Sequence, residues 1–177
     1  MGEALQEDRG IVLYQKSIFE KDRLVSIFCK ELGKVSVLAK GALSMRSKKG
    51  QVLQVFSYVD LLLRPSKQFL YVQDCDLIDD FSNIRLSYSH IQEASFFIQV
   101  VQNCVMQGQK NEALFNWLYT VLKWMHTKKY NEKVRENIFM KFLKIEGIAL
   151  EKERQNALSK SNFMELVEQY SQRCFRI

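Results

Sequence analysis

The chain has 177 residues, which is enough for one domain or two small ones, and 47% of them are apolar, which excludes disorder as the default state. The net charge of +6 and the pI near 9.1 favour an anionic partner such as nucleic acid or an acidic protein segment. No apolar run approaches the roughly 18 residues of a membrane helix, and the acidic start lacks a secretory signal, so we expect a cytoplasmic protein without membrane association.

The first eighty residues alternate between apolar and polar side chains, as strands do. Short turns separate the alternating segments, and Gly33 in "ELGK" is free to adopt a positive φ. The pattern predicts five strands, at residues 10–17, 22–30, 34–41, 51–64 and 69–78. Five short antiparallel strands in about seventy residues favour a small closed barrel, and the OB-fold is the commonest solution of that kind.

From Asp79 onward the apolar spacing becomes helical. The segment around Ala94 to Val105 is apolar nearly all round, so we expect a central helix there. Further helices follow Asn111, a plausible N-cap, and Asn131, and a last one covers residues 163–174, with Asn162 and Glu165 spaced like a capping box. The fold class is therefore α+β: an OB-fold domain at residues 1–80 packed on a helical domain at residues 81–177, since no Gly/Ser/Pro-rich spacer separates them.

The cysteines and histidines do not form a metal-binding pattern. Four widely spaced cysteines (Cys29, Cys75, Cys104 and Cys174) include no C-x2-C pair, and the two histidines lie far apart. We expect no zinc, no other metal and no cofactor.

Positive charge is concentrated in the predicted barrel. The stretch from residue 30 to residue 67 holds only two acidic residues and eight basic ones: Lys30, Lys34, Lys40, Arg46, Lys48, Lys49, Arg64 and Lys67. The chain from Asp79 on is an ordinary mixture of both signs. The segment "SMRSKKG", which we predict to be a loop between the third and fourth strands, is the densest part of this positive field.

Single-stranded DNA requires cations for its phosphates and flat apolar faces for its bases. We therefore take seven basic residues as candidate phosphate contacts: Lys34, Lys40, Arg46, Lys48, Lys49, Arg64 and Lys67. Four aromatic residues on the predicted strands either side of Pro65 are candidate stacking platforms, with each pair sharing a face: Phe56 with Tyr58, and Phe69 with Tyr71. Any one of these rings is more often part of a core.

Two other functions fit parts of the sequence. The run "DCDLIDD" places Asp74, Asp76, Asp79 and Asp80 together, but no Lys, Glu or His stands at a useful spacing, and no nucleotide-binding or hydrolase motif is present. A capped or solvated strand end explains these acids better than a nuclease site. An adaptor whose basic loop binds an acidic peptide remains the alternative to DNA binding.

An ordered set of short motifs resembles a known family. "GIVL" at Gly10, "EKDRLV" at Glu20, "ELGK" at Glu31 and "AKGA" at Ala39 follow one another before the basic stretch, and "VLQVFSYVDLLL" comes after it. This order is similar to the N-terminal region of the bacterial recombination mediator RecO, over residues 9–85. "FMKFLKIEGIAL" at Phe139 is similar only in pattern to a helix of that family.

The resemblance implies a non-enzymatic mediator with an OB-fold. Such a protein binds single- and double-stranded DNA, anneals complementary strands, works with RecR, and engages single-strand-binding protein so that RecA is loaded. It would act in the cytoplasm at the nucleoid. Many members carry a cysteine zinc module after the last motif, but the stretch from Ile148 on holds only Cys174, so that module is not expected here.

Overall fold

A computed structural model describes residues 4–127, 131–148, 162, 163 and 165–169. Its first part contains five strands and one short helix. In chain order these are β1 (Gln6–Ile18), β2 (Asp22–Cys29), β3 (Gly33–Ala39), α1 (Lys48–Val52), β4 (Tyr58–Arg64) and β5 (Leu70–Asp79). The strands close into a barrel in the order β1-β2-β3-β5-β4. The predicted five-stranded OB-fold is confirmed.

The barrel closes because β1 is long enough to pair on both sides. Its first half is antiparallel to β4, from Gln6 opposite Leu63 onward, and its second half is antiparallel to β2. The register of the pairing with β2 shifts between Val12 and Tyr14, just after the pairing with β4 ends at Ile11. A short parallel contact between β3 and β5, with Leu38 opposite Tyr71, completes the ring.

Alternate residues of the strands fill the barrel. Val25, Ile27 and Cys29 on β2 are fully buried, as their period-two spacing requires. The outward-facing Phe28 is also buried, since its ring meets that of Phe115 in an edge contact with the centroids 5.6 Å apart. Burial raises the pKa of the Cys29 thiol far above its ordinary value, so this cysteine is an inert core residue.

One predicted strand was wrong in its first half. We expected a strand over residues 51–64, but α1 ends at Val52, Leu53 is its C-cap and β4 begins only at Tyr58. Ser47 caps the helix by accepting the amide of Gly50 at 3.2 Å. The buried Leu53 fits a helix end as well as a strand, because a short apolar run does not distinguish the two.

A segment beyond the first helices belongs to the barrel unit. Residues 1–82 group with residues 105–115, whereas residues 83–104 group with those from 116 on. The amide of Gly108 donates to the Lys34 carbonyl at 2.8 Å, and a side chain at Gly33 (φ 70°) would place Cβ 2.1 Å from the carbonyl oxygen of Gln109. The glycine of "ELGK" is thus required by this close approach as well as by its turn. The domain boundary at residue 80, and the packing of the two domains, stay predictions.

The second unit is helical, as predicted. The helices that lie wholly or mostly in it are α2 (Ser82–Arg85), α3 (Tyr88–Cys104), α4 (Glu112–His126) and α5 (Glu132–Ile145). Residues 162, 163 and 165–169 are helical as well. The rest of the predicted last helix lies outside the described residues. Asn111 and Asn131 cap α4 and α5, each accepting the amide three residues later at 3.0 Å. The N-cap predicted at Asn111 is confirmed, and α5 starts after Asn131 as predicted, whereas the capping box predicted at Asn162 stays a prediction.

Aromatic rings form the core of the helical unit. Trp117 contacts Phe97 and Phe142, with centroids 5.7 and 5.0 Å apart, and its indole nitrogen donates to the Ile138 carbonyl at 2.9 Å. Phe96 and Phe97 of α3 are both buried, which agrees with the expectation that this helix is central. Among the described helices, none is long and apolar enough to span a membrane.

Candidate nucleic-acid interface

Three strand ends meet at Tyr71. β3 ends at Ala39, β4 ends at Arg64, and β5 begins at Leu70. Tyr71 lies opposite Leu38 on one side and opposite Arg64 on the other. The basic residues that follow β3 and end β4 are therefore brought to the same ring, although they are more than twenty positions apart in the chain.

Two cations lie over that ring. Lys40 Nζ lies 5.0 Å from the centroid of Tyr71, and Arg64 Cζ lies 5.6 Å from it, both within the range of a cation–π interaction. Both cationic residues are exposed. The ring of Phe69 meets Tyr71 edge-on at 6.2 Å and is 40% exposed. We call Lys40, Arg64, Phe69 and Tyr71 the Tyr71 cluster.

The turn between β4 and β5 holds this cluster together. Ser66 donates its amide to the Phe69 carbonyl at 3.0 Å, and its hydroxyl accepts the Phe69 amide at 3.4 Å. Lys67 lies at the tip of this turn and is exposed. Phe69 itself precedes β5, where we had placed it on the strand, but its ring still contacts Tyr71.

The lysines of α1 differ from those of the cluster, because they bind other groups of the barrel unit. Lys48 Nζ forms ion pairs with Asp74 at 3.1 Å and Asp76 at 2.8 Å, and Lys49 Nζ donates to the Val72 carbonyl at 2.7 Å. Hydrogen bonds to Asp76 and, to a lesser extent, to Asp74 raise the pKa of Lys48. The bond between Lys48 and Asp74 also lowers the pKa of Asp74. The expected basic loop is thus partly a helix whose lysines are bound to β5.

The close approach of α1 to Ala42 depends on Gly50. A side chain at this position would place Cβ 2.1 Å from the carbonyl oxygen of Ala42, so only glycine allows the close approach. Arg46 precedes the helix and is exposed. It is the member of "SMRSKKG" that remains directed to solvent without an ion pair among the described residues.

Three other candidates lie away from the cluster. Lys34 is the second residue of β3, six residues or roughly 20 Å along the chain from Lys40. Phe56 is outside β4, in a left-handed conformation (φ 76°), and is only 6% exposed, so its ring has no free face for a base. Tyr58 starts β4 and contacts Phe115 at 6.1 Å. The expectation that Phe56 and Tyr58 share a strand face was wrong, because the strand starts later than its pattern indicates.

The acidic residues of "DCDLIDD" have structural partners. Besides the ion pairs of Asp74 and Asp76, Asp79 accepts the Phe81 amide at 2.8 Å and Asp80 accepts the Ser82 amide at 2.9 Å. Within the described ranges, no group of three or more His, Cys, Asp or Glu residues is placed to hold a metal ion. Burial raises the pKa of the neighbouring Cys75 to about 11, so this thiol is protonated at neutral pH.

Sequence reasoning named every member of the Tyr71 cluster but not the cluster itself. Nothing in the spacing of Lys40, Arg64 and Tyr71 indicates that they meet, because their contact depends on the parallel pairing of β3 with β5. The recognisable signal was the shared presence of cations and aromatic residues near strand ends.

Comparisons with known proteins agree with this fold. A family model described as "Recombination protein O N terminal" matches residues 1–81. A "DNA repair protein RecO" from Clostridium kluyveri is 27% identical over 148 residues, covering 83% of this chain and 58% of that protein. Proteins of the same description from Alkaliphilus metalliredigens and Acetivibrio thermocellus are 30% and 31% identical, over 78% and 64% of this chain and 55% and 47% of theirs. The chain spans about half the length of the curated relatives it matches.

Proposed function

This chain belongs to the RecO family, and from that premise we propose that it is a non-enzymatic recombination mediator whose barrel binds single-stranded DNA at the Tyr71 cluster. The observation that carries the proposal is that two exposed cations lie over one aromatic ring, 5.0 and 5.6 Å from its centroid. Lys40 and Arg64 would bind phosphates of the strand, and the rings of Phe69 and Tyr71 beside them would supply stacking surface for its bases.

The position of the cluster on the barrel supports this proposal. OB-folds bind oligonucleotides on the face of their second and third strands and with the loops after the first and fourth. The turn from residue 65 to residue 69 is the loop after β4, and Lys40 directly follows β3. Phe69 and Tyr71 supply stacking surface, which contributes about 1–3 kcal/mol per base in such proteins. Lys67 at the turn and Arg46 before α1 are secondary phosphate contacts in this proposal.

The wider role is proposed from the family. We infer that the chain takes part in recombinational DNA repair, binds double-stranded as well as single-stranded DNA, and anneals complementary strands. We further infer that it cooperates with RecR and single-strand-binding protein in loading RecA, in the cytoplasm at the nucleoid. The support is the printed description of its relatives and the matched N-terminal domain. Metal-free action stays a prediction, as does the absence of a zinc module.

The test is a titration of labelled poly-dT with the purified chain at several salt concentrations. We expect binding whose logarithmic affinity falls linearly with the logarithm of salt concentration, by about 0.7 for each phosphate contact. Unlabelled poly-dT should displace the probe, and a polyglutamate peptide of equal charge should not. Equal displacement by polyglutamate would favour the adaptor. Cleavage of the probe that depends on Mg²⁺ would contradict the non-enzymatic proposal.

A further inference from the structure

The tip of the first hairpin carries an exposed aromatic ring in an unfavourable backbone conformation. Phe19, in the turn between β1 and β2, is 78% exposed and has φ 53°. Left-handed backbone is unfavourable for a residue with a Cβ, and glycine or asparagine is the usual occupant of such a turn position. A phenylalanine here contributes little burial to offset that cost. Such an outlier points to a function for the side chain.

Hydrogen bonds hold the turn against the segment that carries Lys40. The carboxylate of Asp22 accepts the Gly41 amide at 2.8 Å, and the Lys21 carbonyl accepts the Leu43 amide at 3.0 Å. These two bonds fix residues 21 and 22 to the chain directly after β3. The Phe19 ring is therefore presented by a turn that is fixed to the barrel rather than by a free loop.

Strand register places this turn at the same end of the barrel as the Tyr71 cluster. Ser17 lies opposite Arg23, Arg23 lies opposite Ala39, and the neighbouring Leu38 lies opposite Tyr71. Three strand spacings of about 4.8 Å each, roughly 14 Å in total, thus separate the β1 end of this row from Tyr71. Lys40 lies between the two aromatic positions.

We propose that Phe19 is a second stacking position for a base of single-stranded DNA, on a path that continues from the Tyr71 cluster across β3 and β2. The inference rests on the proposed function. A base fits the site better than an apolar protein segment, because Lys16 and Lys21 are exposed in the same hairpin and Lys40 is exposed directly before Gly41, to which Asp22 is hydrogen-bonded, with Glu20 as the opposing charge.

Because a fixed turn presents the ring, binding a base there requires little ordering of the protein. Stacking is also tolerant of sequence, since every base offers a flat face. The position therefore adds affinity and length to the binding path without adding base specificity.

The central experiment compares Phe19→Ala with the unaltered chain in binding labelled poly-dT. We expect a loss of affinity between about fivefold and 150-fold, which corresponds to the stacking of one base. The salt slope should be unchanged, because no cation is removed. Leu86→Ala is the matched control, since Leu86 is also 78% exposed but lies in the helical unit. The Leu86→Ala variant should bind poly-dT as tightly as the unaltered chain.

Further measurements separate stacking from a structural role. A poly-deoxyribose phosphate strand without bases should bind Phe19→Ala and the unaltered chain equally. Phe19→Trp should retain affinity for poly-dT, and its added fluorescence should be quenched on binding. Phe19→Gly should melt no lower than the unaltered chain, because glycine relieves the left-handed backbone. Equal weakening on the strand without bases, or a lower melting temperature of Phe19→Gly, would overturn the stacking role.

The outcomes also distinguish this inference from the proposed function. If Phe19→Ala binds poly-dT normally while loss of Lys40 and Arg64 weakens binding, Phe19 has no part in the site and the proposed function stands. If the unaltered chain does not bind poly-dT, both proposals fail. If an apolar peptide competes with poly-dT for the unaltered chain but not for Phe19→Ala, the ring belongs to a site for a protein partner and the inference is overturned.

Discussion

The lysines of α1 and the cations of the Tyr71 cluster have the same charge but different surroundings. Lys48 and Lys49 bind Asp74, Asp76 and the Val72 carbonyl, whereas Lys40 and Arg64 lie over an aromatic ring and face solvent. A lysine that must first leave two carboxylates gains less from a phosphate than one that needs to leave only water. The comparison teaches that the density of basic residues along a chain does not measure the positive charge available to a ligand.

Removal of the cluster's cations should have the largest effect on DNA binding. Lys40→Ala with Arg64→Ala should weaken poly-dT binding by at least about 150-fold, since each of two hydrogen bonds to a charged group contributes about 1.5–3 kcal/mol. The salt slope should fall by about 1.4, which is two contacts. The matched control is Lys48→Ala with Lys49→Ala, which also removes two charges. Equal losses in the two double variants, with melting temperatures unchanged, would refute the distinction.

Removal of the Tyr71 ring tests the contribution of stacking separately from that of charge. Tyr71→Ala should weaken poly-dT binding between about fivefold and 150-fold, because one stacked base contributes roughly 1–3 kcal/mol. The salt slope should stay the same, and the loss should be similar for oligo-dT and oligo-dC. Tyr71→Phe is the control and should bind normally, since the aromatic face is retained. A tenfold loss in Tyr71→Phe would assign the effect to the hydroxyl group instead.

A triple substitution in "SMRSKKG" tests whether contacts to β5 make the charges of Lys48 and Lys49 unavailable to DNA. From sequence alone, Arg46→Ala with Lys48→Ala and Lys49→Ala should reduce the salt slope by about 2. The structure lowers this expectation to about 0.7, because Arg46 alone of the three is exposed without an ion pair among the described residues. Salt titrations of poly-dT binding give the slope directly. A reduction near 2 would show that DNA displaces Asp74 and Asp76 from Lys48.

The smallest expected effect is on stability and depends on pH. The lowered pKa of Asp74 means that its ion pair stabilises the fold above the ordinary value of 3.8 and that this contribution is lost as pH falls through the folded-state pKa. The raised pKa of Lys48 adds an upper limit: its contribution is present below 10.5 and is lost as pH rises through the higher folded-state pKa.

We therefore expect Lys48→Met to melt slightly below the unaltered chain between about pH 4 and pH 10 and to match it in more acidic solution. The difference is small because these groups are exposed and surface ion pairs contribute little. Thermal melts across this range are the measurement, with Lys67→Met as a control that should show no such dependence. A difference that persists unchanged at pH 2 would exclude the ion pairs as its cause.

Much of the architecture follows from local pattern. Period-two spacing at Val25, Ile27 and Cys29 predicts both the strand and its buried side, because alternate side chains point to opposite faces. The N-caps at Asn111 and Asn131 follow from side-chain chemistry that acts within three residues. The family resemblance in residues 9–85 likewise rests on short ordered motifs, and a match to residues 1–81 bears it out.

The sequence by itself determined the barrel, the helical unit and the identity of the cations and rings from which a binding site is built. Only the tertiary structure decided which of them come together, because the pairing of β3 with β5 joins Lys40, Arg64 and Tyr71 across distant parts of the chain. It also decided that Lys48 and Lys49 are bound to β5 and that Phe56 is buried, since apolar runs such as the one around Leu53 fit a helix end or a strand equally well. Local pattern fixes what acts within a few residues, whereas charge pairing and ring contacts depend on which strands become neighbours.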